Sequence, residues 1–317
     1  MSPPRASTVP TQPLLRGPAV VTVGGFDGVH LGHRRVLDQI VLGARRAAGR
    51  GVLVTFEPHP LEIVNPAAAP PLLTLPAERR EILAQSDLDV VVFFRFTEAL
   101  SHYSPEQFVR LLLRRFDVKE LVIGEDHGFG RGRAGDVATL RLLGAVLGFA
   151  VNVVPPVTVD GRAVSSSLIR RAVAGGDLDT ARRLLGRPYS LTATVVPGAG
   201  RGRSMGYRTV NLQQPEGRKL LPPDGVYAVR AEWKNGAAGG MMHLGPRPTF
   251  GDQHRSLEVH LFDVNADLYG TECKVAWIAR LRDVLHFPSA EALKRQLDSD
   301  VMAARAALTA YGAPASH

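Results

Sequence analysis

One cysteine, Cys273, stands in the whole chain of 317 residues. That scarcity excludes an intrachain disulfide framework and any cysteine-rich zinc site, and it suits a reducing cytoplasm. Long apolar runs are missing too. Val90–Phe94 is strand-sized, far short of the ~20 residues a spanning helix needs, so no membrane partner is expected. The first residues, MSPPRASTVPTQPLLRG, carry prolines where a signal peptide would carry its apolar stretch, so residues 1–18 are expected to be a disordered leader. Aromatics make up only 6% of the chain, and no run of five or six basic residues occurs. A net charge of +8 and a pI near 10.0 therefore lack the basic stripe with interleaved stacking rings that a nucleic-acid surface uses. Anionic small molecules such as nucleotides account for the positive field equally well.

What is present is enough chain for two cores. From Ala19 to about Gly186 strand and helix patterns alternate. Apolar runs at Ala19–Val23, Gly51–Phe56, Asp89–Phe94, Leu121–Ile123 and Val151–Val154 are separated by helical periods over Gly32–Arg50, Ala77–Gln85, Pro105–Phe116 and Val137–Gly148. Strands apolar on both faces and separated by helices predict a parallel, doubly wound sheet. Leu168–Leu185 adds helix broken at Gly175-Gly176. After Gly186-Arg187-Pro188 the texture changes to short alternating runs at Tyr189–Val196, Gly225–Trp233, Gly240–Leu244, Ser256–Asp263 and Glu272–Leu281. These predict an antiparallel barrel. A terminal helix from about Ser289 to Tyr311 closes it, with Ser289 as N-cap. The domain boundary is expected near residues 186–190.

At the first strand-to-helix turn the sequence reads GGFDGVHLGH, from Gly24 to His33. A helix N-terminus carries partial positive charge and unpaired N–H groups, so it attracts phosphate. Gly24, Gly25, Gly28 and Gly32 let the backbone approach a ligand. His30 and His33, three residues apart, can face one side of the first turn and donate to nucleotide phosphates. The loop is not of the Walker A kind, because its Gly-Lys-Ser/Thr ending is missing. In the second half, Gly198–Leu212 reads GAGRGRSMGYRTVNL. Gly200, Gly202 and Gly206 form a pliant loop with Arg201 and Arg203 available to phosphates. Thr209 and Asn211, two apart in an extended segment, point their oxygens to one side. A hydroxyl and an amide carbonyl are hard donors suited to Mg2+ bound together with ATP.

GGFDGVHLGH resembles the signature of nucleotidyltransferases with HxGH motifs, and more narrowly the adenylyltransferase half of bacterial bifunctional riboflavin kinase/FAD synthetases. Further matches follow in order: TFEPHP from Thr55, IGEDHGFGRGR from Ile123, SSSLIR from Ser165 and LLGRPY from Leu184. Gly198–Leu212 is similar to the riboflavin kinase motif, and LPPDGVYAV, LGPRPTF, SLEVHLF and DLYG resume the likeness downstream. The resemblance covers residues 19 to about 307.

It implies a Rossmann-like adenylyltransferase domain over 19–187 and a riboflavin kinase barrel with a terminal helix over 188–317. The kinase would convert riboflavin and ATP to FMN, and the other domain would join FMN to a second ATP, giving FAD and pyrophosphate. By the same resemblance Gly25, Phe26, Asp27, Gly28 and Asp126 would line the nucleotide, with His30 and His33 on its phosphates. Ser166, Ser167 and Arg170 would hold the departing phosphates. Gly200, Gly202, Arg203 and Gly206 would cover the second ATP, Thr209 and Asn211 would hold its metal, and Glu258 would be the general base. Asp263 and Asp267 read as solvated loop acids. Arg208 stands where the family has proline, which would loosen the segment and set a cation beside the metal. With His127 and Gly128, also departures, it supports an alternative: a divergent paralogue that only adenylylates. The oligomeric state is not legible.

Overall fold

Strand β1, Pro18–Val23, shows why the first half reads as continuously apolar. Ala19, Val21 and Val23 face one layer of side chains and Val20 the other, so both faces of the strand are covered. In this computed structural model residues 17–125, 128, 130, 135–197, 207–215, 217–247 and 252–312 are described. The expected leader lies outside them up to residue 16, and Pro18 already belongs to β1. The chain divides into two compact units, residues 1–70 with 79–164, and residues 71–78 with 165–317.

In the first unit β1 is central to a parallel sheet ordered β3-β2-β1-β4-β5, with β2 Arg50–Glu57, β3 Val90–Arg95, β4 Asp117–Gly124 and β5 Ala150–Val154. Helix α1, Leu31–Arg46, lays Leu37, Ile40 and Ala44 on one face of the sheet beside Val20, Leu53 and Val122. Further helices follow along the chain: α2 Pro60–Val64, α3 Pro76–Leu83, α4 Glu98–Ser101, α5 Pro105–Arg115 and α6 Val137–Leu147. Phe108, Leu112 and Leu140 from α5 and α6 cover the sheet's opposite face. A two-residue hairpin, β6 Thr158–Val159 and β7 Arg162–Ala163, comes after β5. The strand expected to be buried over Asp89–Phe94 is instead only partly so. Among the described residues it lies at the sheet edge and pairs with β2 alone. The strand order reverses between β1 and β4, and open α/β sheets form their ligand crevice at the carboxyl ends of such strands.

In the second unit α7, Ser166–Ala174, and α8, Leu178–Leu185, precede a closed barrel ordered β10-β11-β12-β9-β8-β13. Its strands are β8 Ser190–Val196, β9 Thr209–Leu212, β10 Gly225–Trp233, β11 Gly236–Arg247, β12 Asp252–Leu261 and β13 Glu272–Arg282. Tyr227, Val229, Met242, Leu244, Val259, Val275 and Trp277 are buried at 1% exposure or less. Helix α9, Ala290–Gly312, packs Val301, Ala304 and Leu308 against Val226, Ala228 and Met241. Ser289 caps it as expected, its hydroxyl accepting from the Ala292 N–H at 3.2 Å. Two ion pairs bind α9 to the barrel. Arg282 donates to Asp300 at 2.7–3.0 Å, with Gln296 adding a contact at 2.9 Å. Asp263 is the solvent-exposed acid expected, and both of its oxygens accept from Arg305 at 3.0 Å. Residues 71–78 join this unit through Lys219, whose buried ammonium donates to Leu73 O, Ser190 O and the Glu78 carboxylate at 2.7–2.8 Å.

Asp300 is 3% exposed, so Asp300→Ala leaves the Arg282 guanidinium without its counter-charge and should cost about 3 kcal/mol. Chemical unfolding should show this as a lowered midpoint, with Asp300→Asn falling between. An unchanged midpoint for Asp300→Ala would contradict the role given to this pair.

Candidate functional sites

The first site forms where β1 ends. Gly24 N–H still donates to Val54 O at 3.0 Å, continuing the parallel pairing. The chain then turns sharply, with positive φ at Phe26 (47°), Gly28 (84°) and Val29 (38°). Gly28 suits that conformation, whereas Phe26 and the β-branched Val29 are strained in it. Such residues persist where surrounding contacts over-determine them, and they cluster at ligand sites. The Val29 N–H donates to Phe26 O at 3.2 Å, and the Gly25 carbonyl accepts from Thr55 Oγ1 at 3.1 Å. Asp27 is buried within the turn at 3% exposure.

His30 is the N-cap of α1. Its Nδ1 accepts from the His33 N–H at 3.2 Å. A nitrogen that accepts carries no proton, so the neutral His30 ring holds its proton on Nε2, as a donor. The two imidazoles stack with centroids 3.6 Å apart and planes 14° from parallel. Phe26 stacks on His33 in turn, at 4.5 Å and 29°. Gly32 makes room for this: a Cβ there would meet His30 Cε1 and Nδ1 at 3.2 Å. The first turn of α1 holds no acidic residue, so the dipole's positive end is not neutralised by its own helix. Gly25, Phe26, Asp27, Gly28, His30 and His33 thus form one constellation, in which stacked rings and a helix tip present donors suited to phosphate.

His30 and His33 belong to the first compact unit, and Ser166, Ser167 and Arg170 to the second. Ser165 caps α7, accepting from the Leu168 N–H at 3.3 Å, with Ser166 and Ser167 opening its first turn. Arg170 lies one turn on, and its Nε donates to Pro71 O at 2.8 Å. Asp126, His127, Gly200, Gly202, Arg203 and Gly206 lie outside the described residues.

The barrel assembles the second constellation through strand register. On β12 Leu257, Val259 and Leu261 are buried, and Ser256, Glu258 and His260 occupy the alternate face. β12 pairs antiparallel with β9, so Glu258 stands opposite Asn211 and His260 opposite Thr209. Directly opposed residues bring their Cβ atoms within ~5 Å on one face, so Thr209, Asn211 and Glu258 come together. On the other flank His243 of β11 stands opposite Glu258. Its Nε2 lies 3.0 Å from Pro246 O, which only accepts, so the ring proton sits on Nε2. The Ser256 hydroxyl lies 3.1 Å from Glu258 Oε1 and 3.3 Å from Gly245 O. His243, His260 and Ser256 are neighbours that sequence reasoning missed. Period-two alternation along SLEVHLF marks Ser256 and His260, whereas His243 depends on register.

Arg208 lies immediately before β9. Its Nη1 donates to Asn265 Oδ1 at 2.9 Å, and its carbonyl accepts from His260 Nδ1 at 2.8 Å. These two contacts tie Arg208 to Asn265 and to His260 of β12. Tyr207, next to it, packs edge-on against His260 and donates to Asp298. Burial, with the Asp298 carboxylate second, pushes its phenol up to about 12.

A hydroxyl and an amide oxygen are hard donors that fit magnesium completed by nucleotide phosphates and water, with the Glu258 carboxylate beside them. Among the described residues no three acidic, histidine or cysteine side chains gather into a metal site of their own.

The FAD synthetase family model matches residues 13–168 and the riboflavin kinase model residues 185–308. The chain is 38% identical to the bifunctional riboflavin kinase/FMN adenylyltransferase of Pseudomonas fluorescens, over 94% of both chains. It is 35% identical to the protein of that description from Escherichia coli K12, over 90% of this chain and 91% of the other. The crystal structure of a macrolide-efflux protein from Streptococcus pneumoniae superposes with a TM-score of 0.81 and 30% identity, covering 92% of this chain and 95% of that one. Among the described residues of this chain no helix is long and apolar enough to cross a membrane.

The cap yields a prediction. His30→Ala should destabilise the chain by about 1 kcal/mol, whereas His30→Asn, itself a good cap, should keep the unfolding midpoint near the parent value. Equal midpoints for the two variants would show that the imidazole does not cap α1.

Proposed function

The chain belongs to the bifunctional riboflavin kinase/FMN adenylyltransferase family, and from that membership we propose which of its residues carry the two reactions. It phosphorylates riboflavin with ATP to give FMN and ADP, then adenylylates FMN with a second ATP to give FAD and pyrophosphate. The family models account for both halves, so a chain that only adenylylates is not favoured. Adenylyl transfer is assigned to residues 19–187 and phosphorylation to 188–317, in a cytoplasmic enzyme.

In the kinase half, the face formed by β9 and β12 carries the reading, because register sets Glu258 opposite Asn211 with Thr209 two residues away. Glu258 takes the proton from the riboflavin 5′-hydroxyl as that oxygen attacks the γ-phosphorus and ADP leaves. The Ser256 hydroxyl, 3.1 Å from Oε1, orients the carboxylate. Thr209 and Asn211 hold magnesium with the nucleotide. A magnesium ion held by these two residues would supply positive charge to offset that of the ATP phosphates. Gly200, Gly202, Arg203 and Gly206 cover the phosphates.

In the adenylyltransferase half a phosphate oxygen of FMN attacks the α-phosphorus of ATP, and the bond to pyrophosphate breaks. No protein nucleophile is needed, so the residues act by position and charge. His30 and His33 donate to phosphate oxygens at the tip of α1, where negative charge builds up. Gly25, Phe26, Asp27, Gly28 and Asp126 shape the nucleotide site. Ser166, Ser167 and Arg170 bind the β- and γ-phosphates as they leave, a task suited to a guanidinium.

A chromatographic time course from riboflavin, ATP and magnesium separates the halves. His33→Ala should still accumulate FMN while FAD formation falls about 100-fold or more. Glu258→Gln should lose FMN formation by roughly 100-fold or more, yet convert supplied FMN to FAD. Loss of FMN formation in folded His33→Ala, or failure of folded Glu258→Gln to convert supplied FMN to FAD, would contradict two separate sites.

A further inference from the structure

Arg79 lies on α3, 3% exposed, with no part in the chemistry described so far. Its two terminal nitrogens end on main-chain carbonyls: Nη1 on Gly25 O and Nη2 on Phe56 O, both at 3.0 Å. Among the described residues its buried Nε finds no hydrogen-bond partner. Desolvation lowers its pKa, opposed by the nearby charges of Asp27 and Glu57. Burying an incompletely paired guanidinium is costly, and an apolar side chain would often serve stability as well or better. Its contacts indicate a different use. Gly25 O accepts from Arg79 and also from Thr55 Oγ1, itself fully buried. Two donors therefore fix one peptide, and the next residue is Phe26, strained at φ 47°. The Phe26 ring stacks on His33, which stacks on His30.

We propose that Arg79 is a positioning residue for adenylyl transfer: with Thr55 it clamps the Gly25 carbonyl, holds the Phe26 turn, and so keeps His33 seated against His30. This rests on the reading that the two histidines act on ATP phosphates. Arg79 does not touch the nucleotide. It acts through the backbone, and its effect is confined to FAD formation.

The test uses the full chain with Arg79→Met, Arg79→Lys and Thr55→Val, and His33→Ala as control. Arg79→Met should lower kcat for FMN adenylylation about 10- to 100-fold, the scale set by small misplacement of catalytic groups. KM for ATP should change far less, and FMN formation from riboflavin should stay at the parent rate. The His33 Cε1–H resonance, displaced by the rings stacked on either side, should move toward the value of an unstacked histidine. Arg79→Lys, restoring one donor, should recover part of both signals. Thr55→Val, nearly isosteric, should lower kcat about three- to tenfold, the worth of one hydrogen bond, and it decides the matter if Arg79→Met fails to fold. An unmoved His33 resonance or an unchanged kcat in Arg79→Met, or an unchanged kcat in Thr55→Val, would overturn the proposal. Unimpaired FAD formation in His33→Ala would instead overturn the reading beneath it.

Discussion

A hydrogen bond from the His33 N–H to His30 Nδ1 starts α1 and at once settles what the histidines can offer a ligand. It satisfies one of the helix's exposed N–H groups, directs the His30 proton to Nε2, and lays one imidazole over the other. The sheet brings this about, because β1 is central and delivers the chain at the switch point in strand order. The turn between strand and helix is strained at Phe26 and Val29, and buried contacts to Gly25 from Thr55 and Arg79 hold it. On the proposed role of the two histidines, strain, cap and stack would serve one end: two donors at a helix tip in fixed orientation, since phosphoryl chemistry depends on placement more than on covalent help.

The barrel meets a similar requirement by other means. Here no helix tip is used. Antiparallel register sets Asn211, Glu258 and His243 in one row across β9, β12 and β11. The buried residues between them on β12 keep the strand from slipping, since a shift of one residue would turn Glu258 inward and Val259 out. Helix α9 closes over the neighbouring strands, tied down by the Arg282–Asp300 and Arg305–Asp263 pairs.

Local chemistry was legible in the sequence and long-range pairing was not. The alternation of strand and helix, the barrel strands, the Ser289 cap and the grouping of Gly25 to His33 all follow from residues a few places apart. The opposition of Glu258 to Asn211 needs register, which no local pattern supplies. Arg79 reads as one more polar residue on a short helix until the fold sets it against Gly25, 54 positions away. The buried Lys219–Glu78 pair, 141 positions apart, is hidden for the same reason. The Arg305 partner of exposed Asp263 and the Asn265 partner of Arg208 are hidden likewise, since each depends on the fold. The edge position of β3 was also hidden, since an apolar run does not reveal how many neighbours its strand has.

The account stands most directly on the state of the His30 imidazole, which nitrogen-15 NMR correlated to the ring protons can read in the full chain. The predicted spectrum shows Nδ1 without a proton and Nε2 bearing one, with the Nε2 signal shifting when an ATP analogue that cannot be cleaved after its α-phosphate is added with magnesium. A proton on Nδ1, or a His30 signal indifferent to the analogue, would contradict it.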